Sequence, residues 1–144
     1  MYRHIMIATD GSDAAGRAAD QAIDLAAGIG AKVFVLCVEP PLPAFAVIAE
    51  AVQGADALPE ATARRSEGYL RQVCDKARAA GVPFTSQTVI DNRPYCEIVS
   101  IAAREGCDLI VMGSHGTRGL DRLLLGSETH KVLLSTDIPV LVCH

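Results

Sequence analysis

Two polar, glycine-containing stretches carry most of the chemistry this sequence can offer. The first is Thr9-Asp10-Gly11-Ser12. The second begins Gly113-Ser114-His115-Gly116 and, nine residues later, closes with Gly126-Ser127. Glycine permits positive φ and lets backbone N–H groups approach a ligand closely. Successive amides of this kind form an anion-binding nest. A helix starting at Ser127 would add unpaired N–H groups, the positive end of a helix dipole and a serine hydroxyl. The chemistry expected of the second stretch is therefore phosphate binding. The competing reading is a glycine-rich connection with a serine N-cap and no ligand. A carboxylate at Asp10 would repel phosphate, but it can accept hydrogen bonds from ribose hydroxyls or hold a metal. Its other reading is a helix N-cap, a task Ser12 or Asp13 could also perform.

Other chemistries find less support. Gly11 to Ala18 has the glycine spacing of a Walker A loop, but Arg17 and Ala18 stand where lysine and Ser/Thr are needed. No Gly-x-Gly-x-x-Gly follows the first strand, and no Gly-x-Ser-x-Gly elbow occurs. His4, His115, His130 and His144 lack the i, i+4 spacing of a zinc helix. The five cysteines are widely spaced without Cys-x-x-Cys and read as reduced core thiols.

These loops need elements to position them. Ile5 to Ala8 is a short apolar run that ends at the first loop, a strand followed by a turn. Ala15, Ala18, Ala19, Ala22, Ala26 and Ile29 follow at helical spacing, closed by Gly28 and Gly30. Lys32 to Val38 is an almost continuous apolar run, as in a strand buried on both faces. The spacing predicts a second helix from Pro59 to Ala80 and a more polar, edge-like third strand from Val82 to Ile90. A third helix starts at Pro94 and ends before Gly106. Leu109 to Met112 is the fourth strand, Ser127 to Ser135 a short helix, and Ile138 to Cys143 the fifth strand. The long segment from Glu39 to Leu58 has room for a short helix and suits a lid or a contact surface.

Alternating strands and helices predict an α/β fold: one doubly wound, five-stranded parallel sheet with helices on both faces. With strand order 3-2-1-4-5, the first and fourth strands are neighbours and both loops line one crevice at the switch point. The length of 144 residues suits a single domain over residues 1–144. A net charge of -4 argues against non-specific nucleic-acid binding. The absence of a signal-like start and of an apolar run near about 18 residues predicts a cytoplasmic protein.

The pattern Gly113-x2-Gly116-x9-Gly126-Ser127 resembles the Gly-x2-Gly-x9-Gly-(Ser/Thr) signature of the nucleotide-binding branch of the universal stress protein family. Ile5-Met-Ile-Ala-Thr-Asp10-Gly-Ser12, Asp108 to Gly116 and Ile138-Pro-Val-Leu-Val-Cys143 are also similar to the family, so the likeness covers essentially the whole chain. It implies the sheet order 3-2-1-4-5 and an ATP or other adenine nucleotide, with Mg²⁺ or Mn²⁺ on the phosphates. By resemblance, backbone near Ala8 and Val38 holds the adenine with Met112 beside it, and Asp10 contacts the ribose. Gly113, Gly116, Gly126, Ser127 and Thr129 surround ribose and phosphates, with Glu128 among them. Glu128 departs from the small apolar residue frequent in the family. A carboxylate there disfavours a triphosphate unless it points to solvent or shares a metal. Cys37-Val38-Glu39-Pro40 departs from the family's usual His-Val ending.

The family dimerises through the fifth strand, and Ile138, Val140, Leu141 and Val142 make that edge apolar with little edge protection. A two-fold homodimer is therefore expected. The functional expectation is an ATP-binding stress-response regulator that works by nucleotide occupancy. The alternatives are a slow ATP hydrolase, with Asp10, His115 or Glu128 positioning water, and a structural dimer module that binds no nucleotide.

Overall fold

Side chains alternate between two faces along a strand, so a strand apolar on both faces must be covered twice. Strands β1 (His4–Thr9) and β2 (Lys32–Glu39) are of this kind, and every residue of β1 is buried. The computed structural model describes residues 1–53, 57–116 and 124–144. After β1 and β2, the remaining strands are β3 (Phe84–Ile90), β4 (Leu109–Gly113) and β5 (Val140–Cys143). They form a five-stranded parallel sheet of order β3-β2-β1-β4-β5, the order expected above. The helices are α1 (Asp13–Ile29), α2 (Ala44–Gln53), α3 (Ala57–Ala79), α4 (Pro94–Arg104) and α5 (Ser127–Ser135).

The sheet divides the core in two. Ile5, Ile7, Val33, Val35 and Val111 pack with α1 and α3 on one face. Met6, Ala8, Phe34, Leu36, Ile110 and Met112 pack with α4 and α5 on the other. Ala18, Ala19, Ala22 and Ala26 are fully buried, and their small side chains let α1 lie close to the sheet. Ser12 caps α1, its hydroxyl accepting from Ala15 N at 3.2 Å.

Several boundaries differ from the sequence reading. Gly28 lies inside α1, and closure falls to Gly30 alone, at φ 71 with its N–H on the Ala26 carbonyl. Val82 does not join β3, because its N–H donates to Ala77 O to finish the turn that ends α3. Ile138 does not join β5, because its N–H donates to the Thr136 hydroxyl, and Pro139 that follows has no N–H for a ladder. The Glu39 to Leu58 segment contains α2, ten residues with only Ala46 buried among the side chains described. Cys37, Cys74, Cys107 and Cys143 are buried thiols as expected, but Cys96 is half-buried on α4. Burial pushes Cys37 up to about 12, with Glu39 and Asp10 adding to it, so this thiol stays protonated.

The end of the sheet away from the glycine loops carries a pH dependence. His4 is buried, and its Nδ1 donates to the Glu105 carbonyl at 3.1 Å. Burial first, then the Lys32 charge, pushes its pKa below 6.5, against the pull of Glu105 and Asp108. The unfolded chain therefore binds this proton more tightly than the native one. The stability contributed by neutral His4 is complete above 6.5 and is lost as pH falls below it. Asp108 acts in a separate window. Burial raises its pKa, but the N–H groups of His4 and Arg3 outweigh that and hold it below 3.8. Urea unfolding of the unsubstituted protein should weaken between about pH 7.5 and about pH 5.5, and His4→Gln should flatten that slope. An unchanged slope in the variant would assign the effect elsewhere.

Candidate functional site

The chain leaves the carboxyl end of β1 toward α1 on one face of the sheet, and that of β4 toward α5 on the other. Neighbouring strands whose connections part in this way open a crevice. A cavity of about 460 Å³ lies there. Its apolar lining is Ala8, Leu36, Val38, Ile98 and Met112, joined by Ala15, Pro40 and Pro94. Its polar lining is Thr9, Asp10, Asn92, His115, Ser127, Glu128 and Thr129, with Gly113, Gly116 and Gly126 between them. All ten residues singled out from the sequence thus border one cavity. Asn92 and Pro94 were missed. The signal was available, because in a parallel sheet every strand-to-helix connection emerges at the same rim, including the one from β3 to α4.

The glycines play a different part from the one expected. Among the described residues positive φ belongs to Gly11, Gly30, Gly81 and Gly106, and to none of Gly113, Gly116 and Gly126. What those three positions lack is room. A Cβ on Gly113 would stand 3.0 Å from Ala14 C and Ala15 N of the α1 backbone. On Gly126 it would stand 3.0 Å from His115 Cα and 3.1 Å from Ser114 O. On Gly116 it would stand 2.5 Å from Asp10 Oδ2. The two loops therefore meet at Gly116 and Asp10. Asp10 is not the cap of α1; its Oδ1 accepts from Ser12 N at 2.9 Å in an Asx turn.

The second loop is tied at its base. Ser114 N donates to Cys143 O at 2.7 Å, and Gly126 N donates to Ser114 O at 2.7 Å. Thr129 Oγ1 donates to Gly113 O at 2.9 Å inside the protein. That hydroxyl proton is committed to the β4 backbone, so Thr129 fixes α5 against the sheet. Thr129→Val should lower stability by about 1–3 kcal/mol by leaving the Gly113 carbonyl buried without its donor, while Thr129→Ser should recover most of it. Equal unfolding midpoints for the two variants would contradict that account.

Ser127 is exposed at the start of α5, and the N-cap residue is Gly126, which has no side chain to cap the first-turn N–H groups. Helix α4 also lacks a side-chain cap from its own N-cap, Arg93. Glu128 supplies one from across the site, its Oε2 accepting from Tyr95 N at 3.0 Å. Its Oε1 stands 3.3 Å from Lys131 Nζ, which sits 5.5 Å from the centre of the Tyr95 ring. His115 Nδ1 is 3.0 Å from the Ser114 hydroxyl. Arg118 and Arg122, which with Lys131 are the cations near this loop in sequence that a hydrolase would draw on, lie outside the described residues. Among the described residues no three His, Cys, Asp or Glu side chains gather as a metal site. A second cleft of about 420 Å³ shares Asp10, Val38 and Pro40 with the first and continues past Glu39, Arg65 and Tyr69.

Comparison with known proteins extends these observations. A family model described as the universal stress protein family matches residues 1–144. Universal stress protein MJ0531 of Methanocaldococcus jannaschii is 34% identical over 142 residues, which are 99% of this chain and 82% of that protein. The solved structure of MJ0577, from the same organism, superposes with a TM-score of 0.82 at 29% identity, covering 99% of this chain and 96% of that one. A universal stress protein solved in complex with cAMP superposes with a TM-score of 0.73 at 25% identity, covering 99% and 97%. With the family model spanning residues 1–144 and a relative 34% identical over 99% of this chain, the chain belongs to the universal stress protein family.

Proposed function

We propose that this protein binds an adenine nucleotide, ATP foremost, in the cavity between β1 and β4 and acts as a stress-response regulator through its occupancy. The observation that carries this reading is the meeting of Asp10, Gly116 and the side-chain-free start of α5 around one cavity. In this reading Ala8 and Val38 offer backbone groups to the adenine, Met112 packs beside it and Asp10 takes the ribose. Gly113, Gly116, Gly126 and Ser127 face the phosphates, where the uncapped N–H groups of the first turn of α5 and the helix dipole favour negative charge. The cAMP bound by a relative supports a nucleotide of this class. Mg²⁺ or Mn²⁺ would ride mainly on phosphate and water oxygens, because Glu128 is engaged with Tyr95 N and Lys131.

The reading extends to residues 1–144 as one nucleotide-binding domain of a cytoplasmic protein. Among the described residues no helix is long and apolar enough to cross a membrane. It also includes a homodimer through β5, an edge strand whose Leu141 is 38% exposed. The test uses the purified protein. The chain has no tryptophan and only three tyrosines, so nucleotide released by acid precipitation stands out at 260 nm. An empty supernatant together with no calorimetric signal for ATP, AMP or cAMP would overturn the reading.

A further inference from the structure

We infer that Glu128 makes this site sort adenine nucleotides by phosphate charge, so that a cyclic or simple monophosphate is admitted more readily than a metal-free triphosphate. The inference rests on the nucleotide-binding reading above and deepens it. Glu128 is the second residue of α5, so its charge belongs to the same turn as the N–H groups that would meet a phosphate. It borders the cavity, and Asp10 adds a second carboxylate to the same lining.

The direction of the side chain sharpens the point. Helix α4 turns its N-terminus toward the cavity through Pro94, a second place where an anion could be held. Glu128 Oε2 occupies that place by accepting from Tyr95 N at 3.0 Å. A ligand phosphate approaching α4 therefore meets a fixed carboxylate instead of an open amide. Lys131 offsets this charge weakly, because the pair is 3.3 Å apart with both side chains well exposed to solvent. Repulsion between a fixed charge and a ligand grows with the ligand's own charge. The phosphodiester of cAMP carries one negative charge and metal-free ATP several. A divalent cation on the phosphates removes most of that difference. Glu128 thus acts as a charge filter at the start of α5.

Calorimetry of the unsubstituted protein and of Glu128→Gln, first in chelator and then with Mg²⁺, tests this. Glutamine keeps an oxygen for Tyr95 N and removes the charge. Glu128→Gln is expected to tighten metal-free ATP about tenfold, equivalent to about 1.4 kcal/mol, and cAMP less than about threefold. With Mg²⁺ the two proteins should agree for ATP within about threefold. Equal changes for cAMP and ATP, or weaker ATP binding by the variant, would overturn the inference. Glu128→Ala should lower the thermal midpoint below that of Glu128→Gln, which separates loss of the α4 cap from loss of charge. If Glu128→Gln does not fold, salt gives the same answer in the unsubstituted protein. The disadvantage of metal-free ATP against cAMP should shrink as ionic strength rises, and a constant ratio would count against the filter. If no nucleotide binds the unsubstituted protein under any condition, the underlying reading fails along with this one.

Discussion

Gly116→Val should cut adenine-nucleotide affinity by more than about a hundredfold, equivalent to about 2.7 kcal/mol, in a protein whose circular dichroism is unchanged. A Cβ at this position would stand 2.5 Å from Asp10 Oδ2, well inside contact distance, and valine adds two methyl groups beyond it. Either the second loop must retreat from the cavity, or Asp10 must swing away and give up its bond to Ser12 N. Both moves disturb the proposed ribose and phosphate positions together. The fold should survive, because Gly116 has a negative φ and its loop is anchored independently through Ser114 and Gly126. Affinity retained within about threefold by calorimetry would place the ligand elsewhere.

Gly113→Val should act on stability instead, lowering it by about 3 kcal/mol, the upper end for an overfilled core. A Cβ there would meet Ala14 C, Ala14 Cβ and Ala15 N, all at 3.0 Å. Two of these are backbone atoms and cannot turn aside as a side-chain tip would. Relief requires β4 and α1 to separate. β4 is also held by its pairing of Gly113 with Cys143 and by Thr129 on the Gly113 carbonyl, so the strain spreads to β5 and α5. The thermal midpoint should fall by about 10 °C for a chain of this size. A loss below about 1 kcal/mol in urea unfolding would show that the contact between strand and helix is looser than its geometry implies.

The central strands were legible because burial on both faces leaves an unmistakable apolar run, as in Lys32 to Val38. Helix α2 was legible only as room for a short helix, without its bounds, because periodicity needs contrast. Phe45, Val47, Ile48 and Val52 are all exposed apolar residues, so no polar face marks where the helix turns. The strand starts at Val82 and Ile138 were misread because their N–H groups go to a helix carbonyl and a threonine hydroxyl, choices that propensity does not report. The ten residues expected at the site line one cavity because each lies near the carboxyl end of a strand or in the loop or first helical turn that follows it. The reason for the glycines was not readable. Positive φ is a local property, whereas crowding by Asp10 and Ala14 depends on elements about a hundred residues away in sequence. The same distance hid the partner of Glu128, since Tyr95 is 33 residues earlier in the chain.

The cavity draws its walls from every layer of the molecule: Ala15 of α1, Leu36 and Met112 of the sheet, Ile98 of α4 and Thr129 of α5. The unfolded chain holds no such arrangement. A ligand seated there clamps both helical layers onto the sheet and raises the free energy of unfolding by about 2.7 kcal/mol at a hundredfold excess over its dissociation constant. Under the proposed reading, survival against proteolysis would then depend on ligand supply. The protein would persist while nucleotide is plentiful and be cleared as it runs short, so that its own abundance becomes a signal without any change of shape.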